Sequence, residues 1–110
     1  TCLEAFVADA KGEAYGEYNF SPSGAWAAYV FDAYRGVGIR NARVGFAPKI
    51  ERDGARLSVW APALDEIAGS WRVGLSAVIE EASGVKSFWA LAHPPGKPDF
   101  HHRCGFVLDL

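Results

Sequence analysis

Methionine is absent from this 110-residue chain, and cysteine occurs only twice. The chain opens on Thr1, directly in the strand-like run Cys2-Leu3-Glu4-Ala5-Phe6-Val7. Without a methionine, that start is expected of a processed chain or of a fragment whose earlier strands lie outside the sequence. Two cysteines are no disulfide framework. Cys2 and Cys104 are expected as buried thiols in adjacent terminal strands, with a bridge closing nearly the whole chain as the alternative, so the compartment stays open. Excess positive charge is lacking too. Eleven Lys and Arg stand against thirteen Asp and Glu, for a net charge of -2. With no basic stripe, nucleic acid is not an expected partner. Long apolar runs are missing; Ala25 to Phe31 is far too short to cross a bilayer, and no membrane partner is expected. Catalytic signatures are missing as well. No nucleophile elbow occurs. Gly36-Val37-Gly38 has no following Lys-Ser/Thr and is no phosphate loop. Glu80 and Glu81 are strand neighbours on opposite faces and cannot act as an acid/base couple. An enzyme is not expected.

What is present is β-chemistry. Half the residues are hydrophobic and 14% are aromatic, enough for the core of one domain over residues 1–110. Cys2 to Ala8 and Ala14 to Phe20 read as a hairpin around Asp9-Ala10-Lys11-Gly12-Glu13. Ser21-Pro22-Ser23-Gly24 is a tight turn. Ala25 to Tyr34 is a strand with Trp26, Ala28 and Val30 on one face and Tyr29 and Phe31 on the other. Arg35 to Gly38 is a flexible connection, and Arg43 to Pro48 a short edge strand. Asp53-Gly54 joins Lys49–Arg52 to Ala55–Ala61 as a hairpin. Pro62 to Gly69 is a single helical turn. Trp71 to Glu81 alternates as the strongest strand, returned by Val85 to Ala92. A stiff loop, His93-Pro94-Pro95-Gly96-Lys97-Pro98-Asp99-Phe100-His101-His102, carries all three histidines and leads to a last strand over Gly105–Leu110. Many short strands with regular turns predict an all-β antiparallel sandwich or barrel.

Three stretches resemble the DOMON-like domains of the family 9 carbohydrate-binding-module type. Cys2-Leu3-Glu4-Ala5-Phe6-Val7 resembles a family strand with an acidic residue ahead of Phe. Tyr15-Gly16-Glu17-Tyr18-Asn19-Phe20-Ser21-Pro22-Ser23-Gly24 resembles its aromatic-x-Glu/Gln-aromatic-Asn-x-x-Pro-x-Gly strand and turn. Pro98-Asp99-Phe100-His101-His102 ahead of Gly105-Phe106 resembles its closing P-D-F-H loop, with Arg103-Cys104 where the family often has proline. The resemblance implies an antiparallel β-sandwich that binds carbohydrate or another small molecule without transforming it. It also implies strands ahead of Glu4, and an aromatic residue that stacks on sugar, outside this chain. Haem is the ligand of some relatives, through Met and His; the lack of Met counts against it, and no cofactor is expected.

The binding residues expected on these grounds are Glu4, Glu17, Asn19, Trp60, Trp89 and His101. Glu4 either meets ligand hydroxyls, as the matching family position does, or faces solvent. Glu17 and Asn19 share a strand face and together offer acceptors and an amide donor; Asn19 is expected first to bond the backbone of the turn that follows. Packing is the ordinary fate of a tryptophan on an alternating strand, but Trp60 and Trp89 stand at strand ends beside proline-bearing loops. The histidines are expected as loop anchors. His101 and His102 point to opposite sides, no zinc spacing exists, and Asp99 braces the loop through its own backbone. A metal or haem site would require His93 and His101 to converge. The competing function is an interaction module whose unpaired strand edge, Cys2–Ala8, associates with another chain.

Overall fold

The structure is a computed structural model that describes residues 1–36, 40–41, 47–61 and 69–110. Residues 43–46 of the edge strand expected over Arg43–Pro48, residues 62–68 of the helical turn expected over Pro62–Gly69 and the end of the connection at 37–38 lie outside the described residues.

The fold is all-β. β1 (Cys2–Asp9), β2 (Tyr15–Phe20), β3 (Trp26–Phe31), β4 (Arg40–Asn41), β7 (Trp71–Glu80) and β8 (Lys86–Ala90) form one antiparallel sheet in the order β4-β3-β2-β1-β7-β8. β5 (Lys49–Asp53) and β6 (Arg56–Trp60) form a separate ribbon. β9 (Leu108–Asp109) pairs with β7 at Arg72 and Val73, end to end with β8. The hairpins sit where turn chemistry places them. Gly54 takes φ 57° in the Asp-Gly turn, a region that a side chain disfavours. Gly24 takes φ 88° and closes the Ser21–Gly24 turn through its N–H to the Ser21 carbonyl at 2.9 Å.

Alternation along each strand gives the sheet two apolar faces. On one, Phe6, Ala8, Tyr15, Phe31 and Phe106 are buried, with Tyr29 and Phe100 packed against them. Phe6 and Phe106 stack at 5.7 Å and are each 1% exposed. Burying one such ring is worth roughly 1.5–3 kcal/mol. On the other face lie Val7, Tyr18, Phe20, Ala28 and Val73, with Ile50 and Val59 of the ribbon against them. Hence the chain from Phe100 to Phe106 covers one face and the β5–β6 ribbon covers part of the other.

Three expectations are corrected. β1 is no edge: it is central, paired with β2 along one side and with β7 along the other. The last strand is much shorter than Gly105–Leu110. Arg103–Gly105 forms a 3-10 turn, with the His102 ring nitrogen accepting the Cys104 N–H. Phe106 then turns into the core, so only Leu108–Asp109 pairs regularly, with Leu110 exchanging backbone bonds with Trp71. Cys104 is therefore exposed on that turn rather than buried in a strand; Cys2 is half-buried, and both are free thiols.

Candidate functional site

Pairing register places a polar row on the face that carries Phe6. Glu4 lies across from Asn19 on β2 and from Ser76 on β7. One strand position further, Phe6 lies across from Glu17, and Glu17 from Tyr29 on β3. Tyr15 lies across from Phe31, and their rings stack at 4.9 Å. The loop after β8 then brings His101 onto this face. Its ring packs edge-on against Phe6 at 5.2 Å and Phe31 at 5.1 Å.

These groups are linked. Asn19 donates through its side-chain amide to Glu17 Oε1 at 2.8 Å. That displaces the expected bond from Asn19 to the turn backbone; Ser21 and Ser23 hydroxyls serve the turn instead. Ser76 donates to Glu4 Oε2 at 3.2 Å. Burial pushes the Glu4 carboxyl up; the Ser76 bond opposes this and the Glu17 charge adds to it. The Tyr15 hydroxyl lies 2.8 Å from His101 Nδ1 and accepts the Arg35 backbone N–H at 3.3 Å. The imidazole tautomer sets which of the two donates in the Tyr15–His101 bond. Burial holds the ring below its usual pKa, against the pull of Glu17, and so favours neutral imidazole. On the other side of the ring, Nε2 faces Glu17 Oε2 at 3.7 Å. That gap is too long for a direct hydrogen bond.

Asp99 fixes the loop. Its Oδ1 accepts the His101 N–H at 3.1 Å and the Arg35 guanidinium at 2.8 Å, and its other oxygen accepts the Tyr34 hydroxyl. The bonds from Tyr34 and Arg35 outweigh desolvation and hold the Asp99 carboxyl below its ordinary value. Arg35 is the only described residue other than glycine with positive φ, at 46°. Such backbone costs about 1 kcal/mol and is retained when its surroundings over-determine it; the Tyr15 and Asp99 bonds do so here.

An open cleft of about 390 Å³ is lined by Glu17, Tyr29, Phe31, Arg35 and His101. It offers a carboxylate, a cation, an imidazole nitrogen and aromatic surface within one concavity. On the other face a cavity of about 480 Å³ lies between the sheet and the ribbon, lined mostly by apolar residues such as Leu3, Val7, Tyr18, Val59 and Trp71; Glu4 and Ser76 also contribute to its lining, and Glu4 does not line the Glu17 cleft. It has few groups that could meet a polar ligand, and its lining is continuous with the core on that face.

Of the six expected residues, Glu4, Glu17, Asn19 and His101 come together on one face. Trp60 and Trp89 do not join them. Trp60 lies across from Lys49 on the ribbon, exposed. Trp89 lies across from Ala77, on the face opposite the cleft, and donates to Ser87 Oγ at 3.0 Å. The histidines separate: the His93 ring meets Phe100, His102 caps the 3-10 turn, and His101 alone lines the cleft. Among the described residues no three His, Cys, Asp or Glu side chains are grouped to hold a metal. Tyr29, Phe31 and Arg35 were not expected in a site. The alternation that puts Tyr29 and Phe31 on the Glu17 face was the signal for two of them; Arg35 sits on irregular backbone and gave none. Comparison with protein-family models, curated proteins and solved structures gives no match for this chain.

Proposed function

We propose that this chain is a non-catalytic binding module for a neutral, hydroxyl-rich small molecule, with carbohydrate as the ligand class, and that the cleft beside Glu17 is where it binds. One observation carries the reading. Glu17 and His101 face each other across 3.7 Å, beside Asn19 and the partly exposed Tyr29 ring. A carboxylate acceptor and an imidazole nitrogen at fixed positions suit a sugar hydroxyl, which donates and accepts at once. Aromatic surface suits the C–H face of a pyranose. The same reading takes the chain as a DOMON-like relative of the family 9 carbohydrate-binding type, with sheet and ribbon as layers of a sandwich. An open cleft stays hydrated, so affinity is expected to be weak.

Titration of ¹⁵N-labelled chain with neutral mono- and oligosaccharides tests this. The expected result is saturable shifts confined to Glu17, Asn19, Tyr29, Arg35 and His101 with at least one sugar. Glu17→Ala should abolish them, whereas Trp60→Ala and Trp89→Ala should leave them intact. Shifts centred on Trp60 or Trp89, or no saturable shift with any sugar, would overturn the proposal.

A further inference from the structure

The geometry points to an acid-driven closure of the cleft: protonation of His101 draws its Nε2 onto Glu17 Oε2, and the ion pair so formed takes from a ligand the two polar groups that would hold it. For the ligand the inference rests on the sugar-binding reading; the closure itself belongs to the chain without ligand.

The two groups are already placed for it. Glu17 Oε2 and His101 Nε2 stand 3.7 Å apart, with 13% and 18% of their side chains exposed. A charged N–H to carboxylate contact settles at about 2.7–2.9 Å, so closure needs a movement of about 1 Å. The far ends of both groups are held. Asn19 occupies Glu17 Oε1 at 2.8 Å, which leaves Oε2 turned to the ring. Tyr15 occupies His101 Nδ1 at 2.8 Å, which leaves Nε2 turned to the carboxylate. Neutral imidazole has one N–H for these two neighbours, and a hydroxyl of water or ligand can stand between Glu17 and either tautomer. Imidazolium has a proton on each nitrogen. One goes to the Tyr15 oxygen, which also accepts the Arg35 N–H, and the other goes to Glu17. The charged ring satisfies both partners, whichever neutral tautomer precedes it.

Glu17 is the charge that acts on the ring. β1 and β3 meet the imidazole with the apolar rings of Phe6 and Phe31. β2 meets it with Tyr15 and Glu17. Arg35, after β3, repels an imidazolium, and Asp99, in the ring's own loop, attracts it; these two are paired at 2.8 Å and offset each other. Glu4 on β1 adds negative charge beside Glu17 when it is ionised. A sugar hydroxyl seated between Glu17 and His101 has to leave before the pair can close. Binding then draws on the neutral-ring fraction alone. Below the ring's pKa, which burial holds under 6.5, that fraction falls about tenfold per pH unit.

Side-chain NMR of the 110-residue chain from about pH 4 to 8 tests closure without ligand. In acid the His101 Nε2 proton should become visible and slow to exchange with water, and the Glu17 carboxyl carbon should shift at the same midpoint. Glu17→Gln should lower the His101 midpoint by about one pH unit, with its backbone spectrum as the check on folding; the wild-type readout needs no variant. In the saccharide titration repeated at each pH, Kd should rise about tenfold per unit below the midpoint. An Nε2 proton in fast exchange at every pH would overturn the inference. So would a midpoint unmoved in folded Glu17→Gln, or a Kd that stays flat or falls in acid. If no sugar binds at any pH, the carbohydrate reading fails by itself: the slow Nε2 proton and the shared midpoint still support the closure, and their absence overturns it.

Discussion

Individual residues set the pH response of the cleft. His101 is held below its ordinary pKa of 6.5, so the unfolded chain binds its proton more readily than the folded one. In that window stability rises with pH: the contribution is complete above 6.5 and is lost as pH falls through the folded value. Glu4 acts oppositely. Its carboxyl is raised from 4.5, so the native state holds the proton more tightly, and stability falls as pH rises through the window above 4.5. Melting temperature against pH should therefore steepen between 4.5 and 6.5 in Glu4→Gln and flatten below 6.5 in His101→Gln. Parallel curves for wild type and both variants would refute the assignment. A second residue is fixed by space alone. A Cβ on Gly74 would stand 2.8 Å from the Phe106 ring and 3.1 Å from the Gly105 carbonyl oxygen. Gly74→Ala should cost about 1–3 kcal/mol in denaturant unfolding; a change within 0.5 kcal/mol, the usual range for a surface substitution, would show that the ring moves aside freely.

At the level of elements, the loop ending in Asp99-Phe100-His101-His102 decides whether a cleft exists. Asp99 holds Tyr34 and Arg35 from the segment after β3 and the His101 amide from its own loop. Removing the carboxylate frees three donors; removing Arg35 frees one carboxylate oxygen that still has the His101 N–H. The Arg35–Asp99 pair is partly exposed, and such a pair alone is worth about 0–1 kcal/mol. Asp99→Ala should therefore destabilise more than Arg35→Ala and should raise amide exchange at His101, while Arg35→Ala should leave that amide protected. Equal exchange in the two variants would show that the ion pair, not the loop brace, positions His101. Sequence reading reached this element only in part. Period-2 alternation fixed the faces of β3 and β7, and turn residues the hairpin of β1 and β2, because they depend on neighbours in the chain. That Glu17 and Asn19 share a face followed from the same rule. The meeting of Arg35 with Asp99, the fall of Phe106 into the space over Gly74, and the separation of Trp89 from the cleft depend on pairing between distant segments. No local pattern encodes those. The central place of β1 is the clearest instance: a strand at the start of the sequence reads as an edge, yet it is flanked by its hairpin partner and by a strand some seventy residues away.

Over the whole molecule, one sheet serves two cores of unequal depth. On the cleft side Phe6, Ala8 and Phe106 are nearly inaccessible. On the other side, among the described residues, partly buried Ile50 and Val59 of the ribbon pack on the core, while the other residues of β5 are exposed. Local opening free energies follow buried apolar contact and long-range pairing. Among the described residues the ribbon is held by its own hairpin ladder and those two side chains; an isolated two-stranded hairpin is marginally stable at best. Opening it should not require β1 to leave β2 and β7. Hydrogen exchange should therefore resolve at least two units. Amides of β5 and β6 should exchange by local opening, and amides of β1 and the facing half of β7 only by global unfolding. Ile50→Ala should then accelerate exchange in the ribbon while barely changing exchange in β1. If β1 and the ribbon lose protection together in wild type and in the variant, the ribbon belongs to the same cooperative unit as the sheet. Its packing energy would then reach the cleft face through β1, whose odd and even side chains belong to the two cores.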